Sequence, residues 1–334
     1  MFGQYLSTEV MNTLIERPSA LGLGGERRKV AIMMTDLRGF TALAERLEPE
    51  KVVQILNAYF EVMIDVILEY HGTINEIMGD ALLVIFGAPD EIPDQTQRAV
   101  ACAIAMQNAM AQVNGENRAK DLPDLEMGIG INEDEVVIGN IGSAKRSSYT
   151  AIGNGVNMAS RIESYTVGGQ VLVSESVKKS IGGLLRIDGK REVFAKGADA
   201  PIQIYDVGGI AGRYHLTLME KDTDLITLVR PIPLLCHVIG GKHVNQAGFS
   251  SSVIRLSDKG AELKLNHSVD ILTNLKMNLK DVPTDLARKD FYGKVISRSS
   301  EDDSKYIVRF TATAPEVIAY LVAHRQFAGQ TPGP

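Results

Sequence analysis

Cysteine is nearly missing from this chain: Cys102 and Cys236 are the two in 334 residues, far apart and each flanked by apolar neighbours. That excludes a disulfide scaffold and points to buried thiols in a reducing compartment. No apolar run approaches the roughly 20 residues of a membrane-spanning helix. The first residues, Met1-Phe-Gly-Gln-Tyr-Leu, lack the charged and apolar regions of a signal peptide. An excess of positive charge is also lacking, with 35 Lys and Arg against 41 Asp and Glu, net -6. Nonspecific nucleic-acid binding is therefore not expected. Internal repeats and low-complexity segments are absent from the sequence. What remains is 45% hydrophobic and 23% charged, the composition of an ordinary globular protein. A cytoplasmic protein is expected, long enough for two domains of about 150 residues each.

The pattern along the chain divides it. Residues 1–16 read as a weakly amphipathic helix, and 18–25 as a Pro/Gly-containing connector. A buried strand is expected over 29–35. Pro49 opens a long helix in which Ile55, Leu56, Tyr59, Phe60, Met63, Ile64, Ile67 and Leu68 recur at helical spacing. Strands follow over 73–78 and 81–86, joined tightly through Gly79-Asp80. A second helix spans 94–113, and a hairpin is expected from 125–132 and 135–141. Its turn, Asn132-Glu-Asp-Glu135, contains no glycine. A third helix starts near Asn154. The order strand–helix–strand–strand–helix–strand is that of a ferredoxin-like α+β core. Residues 208–212, Gly-Gly-Ile-Ala-Gly, look like a linker. Beyond it, short alternating runs at 252–256, 261–265, 272–279, 293–297 and 306–310 suggest a small antiparallel β-barrel closed by a helix at 315–324. The expected organisation is an N-terminal helix and connector over 1–27, an α+β domain over 28–207, a linker over 208–212 and the barrel over 213–328.

Two aspartates stand at edges of the apolar strands, Asp36 in Thr35-Asp-Leu-Arg-Gly-Phe-Thr41 and Asp80 in Met78-Gly-Asp-Ala81. Either alone would usually be a cap or turn residue. Together, two carboxylates beside a turn whose free N–H groups can receive phosphate make a two-metal phosphoryl-transfer site.

With these segments stand Gly139-Asn-Ile-Gly142, Tyr149-Thr-Ala-Ile-Gly-Asn-Gly-Val-Asn-Met-Ala-Ser-Arg161 and Ala195-Lys-Gly197. Residues 28–207 thereby resemble the catalytic domain of class III nucleotidyl cyclases. The resemblance implies that Asp36 and Asp80 hold two Mg²⁺ or Mn²⁺ ions, helped by the Leu37 carbonyl. Asn157 and Arg161 match the pair that orients the ribose and stabilises the transition state; their i, i+4 spacing puts both on one helix face. Gly39, Phe40 and Thr41 supply phosphate-binding amides, and Lys196 meets the β/γ-phosphates. Lys145 or Arg146 adds to this or is simply a solvated loop cation. Relatives build the site across a head-to-tail dimer, one subunit giving the aspartates and the other the base-reading residues, Asn157 and Arg161. Because this chain carries both sets, a homodimer with two equivalent sites is expected.

Glu76 and Thr150 bear on the base. Adenylate-forming relatives have lysine where Glu76 stands. Guanine offers donors at N1 and N2, and a carboxylate accepts both. Glu76 facing adenine N1 would oppose acceptor with acceptor, at about 1–3 kcal/mol or more. Thr150 can donate to guanine O6 or accept from adenine N6. GTP is the expected substrate, ATP the alternative, and a non-catalytic nucleotide or cyclic di-GMP sensor the reading from another class. Residues 213–328 resemble a PilZ domain through Val253-Ile-Arg-Leu-Ser-Asp-Lys-Gly-Ala-Glu-Leu263, Gly293-Lys-Val295 and Tyr306-Ile-Val-Arg-Phe310. Ser257 and Gly260 fit its ligand turn, but Arg255 replaces the Asp or Asn, and Arg230 stands without a partner arginine upstream. Weak or no cyclic di-GMP binding is expected.

Overall fold

The computed structural model describes residues 23–143, 145–194, 201–218, 224–240, 243–244, 248–299 and 302–328. The expected helix at 1–16 lies outside them. Contacts divide the chain into two compact units, one of residues 1–38 and 47–219, the other of 39–46 and 220–334.

The first unit is built on β1 (Gly24–Leu37), α2 (Pro49–Glu69), β2 (Thr73–Met78), β3 (Ala81–Phe86), α3 (Gln95–Ala119) and β4 (Met127–Ser143). The strand order β2-β3-β1-β4 is that of the ferredoxin-like core. The helix α1 (Phe40–Ala44), between β1 and α2, belongs to the second unit. After β4 come β5 (Arg146–Ile152), α4 (Asn154–Ser164), β6 (Val171–Ser174), α5 (Glu175–Ile181), a single 3-10 turn (Gly182–Leu184), β7 (Leu185–Val193), β8 (Ile202–Ile210) and β9 (Leu216–Thr217). The sheet continues from β4 through β6 and β8 to β7, while β5 pairs with β4 alone.

From Val30 onward β1 is buried on both faces, which is why it reads there as a continuous apolar run rather than an alternating one. Val30, Ile32 and Met34 join Val136, Ile138, Ala151 and Ala159 in one cluster beneath α4. The alternate residues face the other helices: fully buried Thr35 meets the Tyr59 hydroxyl of α2 at 3.4 Å. Ile55, Tyr59, Met63 and Ile67 are the buried stripe of α2, each such side chain contributing about 1.5–3 kcal/mol.

The expected hairpin at Asn132-Glu-Asp-Glu135 is not there. β4 runs straight through it, paired with β1 from Leu37↔Met127 to Gly24↔Asn140. The polar residues are stabilised by specific partners instead. Glu133 is buried, accepts from Thr96 Oγ1 (2.5 Å) and Ser180 Oγ (3.0 Å), and pairs with Lys29 at 2.9 Å. The turn lies later, where Ser143 pairs with Arg146. Likewise Gly208–Ile210, read as linker, ends β8, with Gly209 and Ile210 paired to Thr217 and Leu216.

The second unit contains β10 (Ile226–Gly240), β11 (His243–Val244), β12 (Phe249–Leu256), β13 (Gly260–Leu265), β14 (Asn274–Leu279), α6 (Thr284–Ala287), β15 (Phe291–Arg298), β16 (Lys305–Ala312) and α7 (Pro315–Ala328). The order β10-β12-β13-β16-β15-β14 closes because β14 also pairs with β10. This six-stranded antiparallel barrel removes its own edges. Leu234, Val253, Leu263, Leu275, Met277, Phe291, Val295 and Val308 fill it. β10 escaped the sequence reading because Pro231 and Pro233 interrupt it; the pairing with β12 is irregular between Thr227 and Ile232, around Pro231, and resumes with Pro233 opposite Ser252. Both cysteines are buried and unpaired.

Candidate functional site

Strand register brings the aspartates together. Thr35 pairs with Leu82, the last pair between β1 and β3, so Asp36 lies beside the β2–β3 turn that holds Asp80. Gly79 makes this turn with φ 66. Two hydrogen bonds orient the carboxylates. The Leu37 N–H donates to Asp80 Oδ2 at 3.2 Å, and Arg38 Nη2 donates to Asp36 Oδ2 at 2.6 Å. Arg38 also pairs with buried Glu163 on α4, so one guanidinium bridges two carboxylates. Beneath the pair, Tyr59 donates to Met127 Sδ at 3.2 Å. Burial drives its phenol far above the ordinary range; the Thr35 hydrogen bond opposes this, and Asp80 and Asp36 add to it. The floor of the site is therefore neutral and fixed.

Among the described residues no group of three or more His, Cys, Asp or Glu is arranged to hold a metal by itself. A pair of aspartates nevertheless fits Mg²⁺-like ions, which take one or two protein carboxylates and fill their shell with substrate phosphates and water.

Asn157 and Arg161 lie on α4, Asn157 exposed and Arg161 half-buried. The opposite face of α4 carries Gly155, Ala159, Ile162 and Glu163 into the protein. Gly130 of β4 lets this helix approach as bare backbone: a Cβ there would stand 2.6 Å from Glu163 Cα and 2.7 Å from the Ala159 carbonyl oxygen. Asn132 Nδ2 donates to the Gly155 carbonyl at 3.2 Å, fixing the first turn.

Glu76 is exposed on β2. Thr150 is half-buried on β5, opposite Gly139. Lys145 and Arg146 are exposed at the β4–β5 turn, where both main-chain N–H groups donate to Ser143 Oγ at 3.3 Å. Gly39, with φ 69, precedes α1, which Phe40 and Thr41 open. Lys196 lies outside the described residues. The sequence reading missed Arg38, Glu163 and Asn75. Arg38 stood inside a quoted motif, but its carboxylate partner is 125 positions away, and no local pattern announces such a pair.

The family model described as "Adenylate and Guanylate cyclase catalytic domain" matches residues 25–207. The crystal structure of the guanylyl cyclase Cya2 is 49% identical, covering 59% of this chain and 100% of that chain with a TM-score of 0.58. The adenylyl cyclase CyaB from P. aeruginosa is 36% identical over 58% of this chain and 100% of its own, TM-score 0.55. Adenylate cyclase 1 of Rhizobium meliloti (strain 1021) is 31% identical over 218 residues, 65% of this chain. The chain spans only about a third of that relative's length, 33%. No described helix is long and apolar enough to cross a membrane. With its ferredoxin-like sheet, paired aspartates and matching segment, the chain belongs to the adenylate and guanylate cyclase catalytic-domain family.

Proposed function

We propose that the protein is a guanylate cyclase, converting GTP to cyclic GMP and pyrophosphate. The observation that carries this is Glu76: an exposed carboxylate on the strand leading to Asp80, without a hydrogen bond or ion pair of its own among the described residues. Its two oxygens suit the N1–H and N2–H donors of guanine and oppose the N1 acceptor of adenine.

Asp36 and Asp80, with the Leu37 carbonyl, would hold divalent ions. Such ions, when bound, supply Lewis-acid stabilisation of the phosphoryl oxygens and activation of the attacking 3′-hydroxyl. Arg38 and the Leu37 N–H each hold one carboxylate oxygen of the pair. Asn157 would orient the ribose, and Arg161 would meet charge developing on the α-phosphate. Gly39, Phe40, Thr41 and Lys196 remain phosphate-binding candidates from family resemblance, with Lys145 and Arg146 as solvated alternatives.

Helix geometry supports a dimer. Glu163 faces inward to Arg38, and Arg161 precedes it by two positions, about 200° around the helix. Arg161 therefore lies on the face of α4 away from its own Arg38–Asp36 pair, which favours the arrangement of relatives, where a second copy supplies this arginine. A head-to-tail homodimer with two equivalent sites has that form. The C-terminal barrel would then support or regulate the dimer; its resemblance to PilZ domains lacks the arginine pair that stacks on cyclic di-GMP.

Cyclisation of ATP is the second reading, favoured by the names of two relatives, Adenylate cyclase 1 and CyaB. The test is a product assay of the purified protein with Mn²⁺ and each nucleotide in turn. Cyclic GMP from GTP is expected; cyclic AMP without cyclic GMP overturns the guanylate reading.

A further inference from the structure

The pairing of β2 with β3 is irregular between Ile74 and Glu76. Asn75 sits at that irregularity, where an extra residue re-aims side chains. Its amide reaches across to β5. There the Ala151 main-chain N–H donates to Asn75 Oδ1 at 3.2 Å, and Asn75 Nδ2 donates to Thr150 Oγ1 at 3.2 Å.

These two bonds are a chain of forced choices. A main-chain amide can only donate, so the group facing Ala151 must be the oxygen of Asn75. The nitrogen is then the end that faces Thr150, and an amide nitrogen also can only donate. The Thr150 oxygen therefore accepts from Asn75, and its proton turns elsewhere. Thr150 Oγ1 has no other hydrogen-bond partner among the described residues.

We propose that Asn75 is a base-specificity positioning residue: it polarises Thr150 so that the hydroxyl presents its proton to the 6-position of the purine. Guanine carries an acceptor there, O6, and adenine a donor, N6. With Glu76 accepting from N1–H and N2–H, the two neighbours Asn75 and Glu76 act on one edge of the same base, one directly and one through Thr150. The inference rests on the reading that Glu76 and Thr150 face the purine. It adds a residue that touches no substrate, and by occupying one of the two acceptor lone pairs of Thr150 it biases a threonine that by itself suits either base toward donating.

The test is Asn75→Asp in the full-length protein, assayed for kcat/KM with GTP and with ATP. The substitution keeps the shape and an oxygen for the Ala151 N–H, but it turns the donor facing Thr150 into an acceptor. The Thr150 proton is then drawn inward and its lone pairs face the base. The GTP-to-ATP ratio of kcat/KM should fall by about 10-fold. The added negative charge weakens both nucleotides, so it largely cancels in the ratio. In a Thr150→Val background the same substitution should leave the ratio within about 2-fold, since no hydroxyl remains to polarise. An unchanged ratio in the first case, or an equal shift in the valine background, overturns the proposal. If Asn75→Asp does not fold, as read by circular dichroism, Asn75→Ala replaces it. That variant frees the hydroxyl to rotate and should narrow the ratio by about 3-fold through Thr150 alone; no narrowing refutes the polarisation. The wild-type ratio separately tests the guanylate reading. A wild type preferring ATP defeats that reading, while a Thr150-dependent shift still supports the role of Asn75.

Discussion

Replacing Gly130 by alanine should push α4 off the sheet and carry Asn157 and Arg161 with it. The new methyl group would stand 2.6 Å from Glu163 Cα and 2.7 Å from the Ala159 carbonyl oxygen, against 3.4 Å or more for ordinary contact. Both obstacles are backbone, so no side chain can swing aside, and the helix must retreat by roughly 1 Å. Overpacking of this kind costs about 1–3 kcal/mol. For a unit of this size that lowers Tm by about 2–12 °C. The activity effect should be larger, because misplacing a catalytic group by about 1 Å can cost on the order of 100-fold in rate. The assay is a thermal melt paired with kcat for GTP in saturating Mn²⁺. Gly115→Ala is the control: it is exposed on α3, nothing lies within 4 Å of its added Cβ, and it should stabilise the helix by about 0.5–1 kcal/mol. If Gly130→Ala melts with the wild type and keeps kcat within about twofold, backbone contact does not set the helix position and the reasoning fails.

Glu76→Lys should move the GTP-to-ATP ratio of kcat/KM toward ATP by about 10- to 100-fold, from the reversal of one buried hydrogen-bond polarity; an unmoved ratio places Glu76 away from the base. Asp36→Asn and Asp80→Asn should each remove Mn²⁺-dependent cyclisation while leaving the circular dichroism spectrum intact. A variant that retains Mn²⁺ binding by electron paramagnetic resonance and full turnover would show that its aspartate is not a ligand. The thiols should be inert in the folded protein. Burial pushes Cys236 up to about 11, partly offset by the Ser251 hydrogen bond, and raises Cys102 further. Below the folded pKa the thiol stays protonated, so at pH 8 only about one Cys236 in a thousand is thiolate. A disulfide reagent should react fully only after denaturation, and rapid labelling of native protein would contradict this burial.

The aspartates and the helical stripe of α2 were legible because their signals are local. Asp36 and Asp80 each end an apolar run, and Ile55, Tyr59, Met63 and Ile67 recur every four residues. The polar stretch at 132–135 misled because its compensation is distant: Thr96, Ser180 and Lys29 satisfy Glu133 inside what looked like a turn. β10 was missed for a related reason, since Pro231 and Pro233 read as breakers, yet the barrel takes Pro231 into an irregular ladder and pairs Pro233 with Ser252. Arg38 and Asn75 act through partners 125 and 75 positions away. Periodicity cannot report such pairs; only the register of the folded sheet brings them together.

The unbroken course of β4 makes it a ruler. Gly130 seats the helix bearing Asn157 and Arg161, and Gly139 lies opposite Thr150. Nine steps of strand separate them, about 30 Å at ~3.3 Å per residue. Because β1 is paired to the strand along this whole stretch, the interval has no slack. A substitution between the two glycines alters one side chain. A single inserted residue would turn every later side chain to the other face, exchanging the surface that packs α4 for the one that packs α2 and α3. The interval between the seat of α4 and the partner of Thr150 is thus held by a count of residues, and engineering of this strand has freedom in composition but none in length.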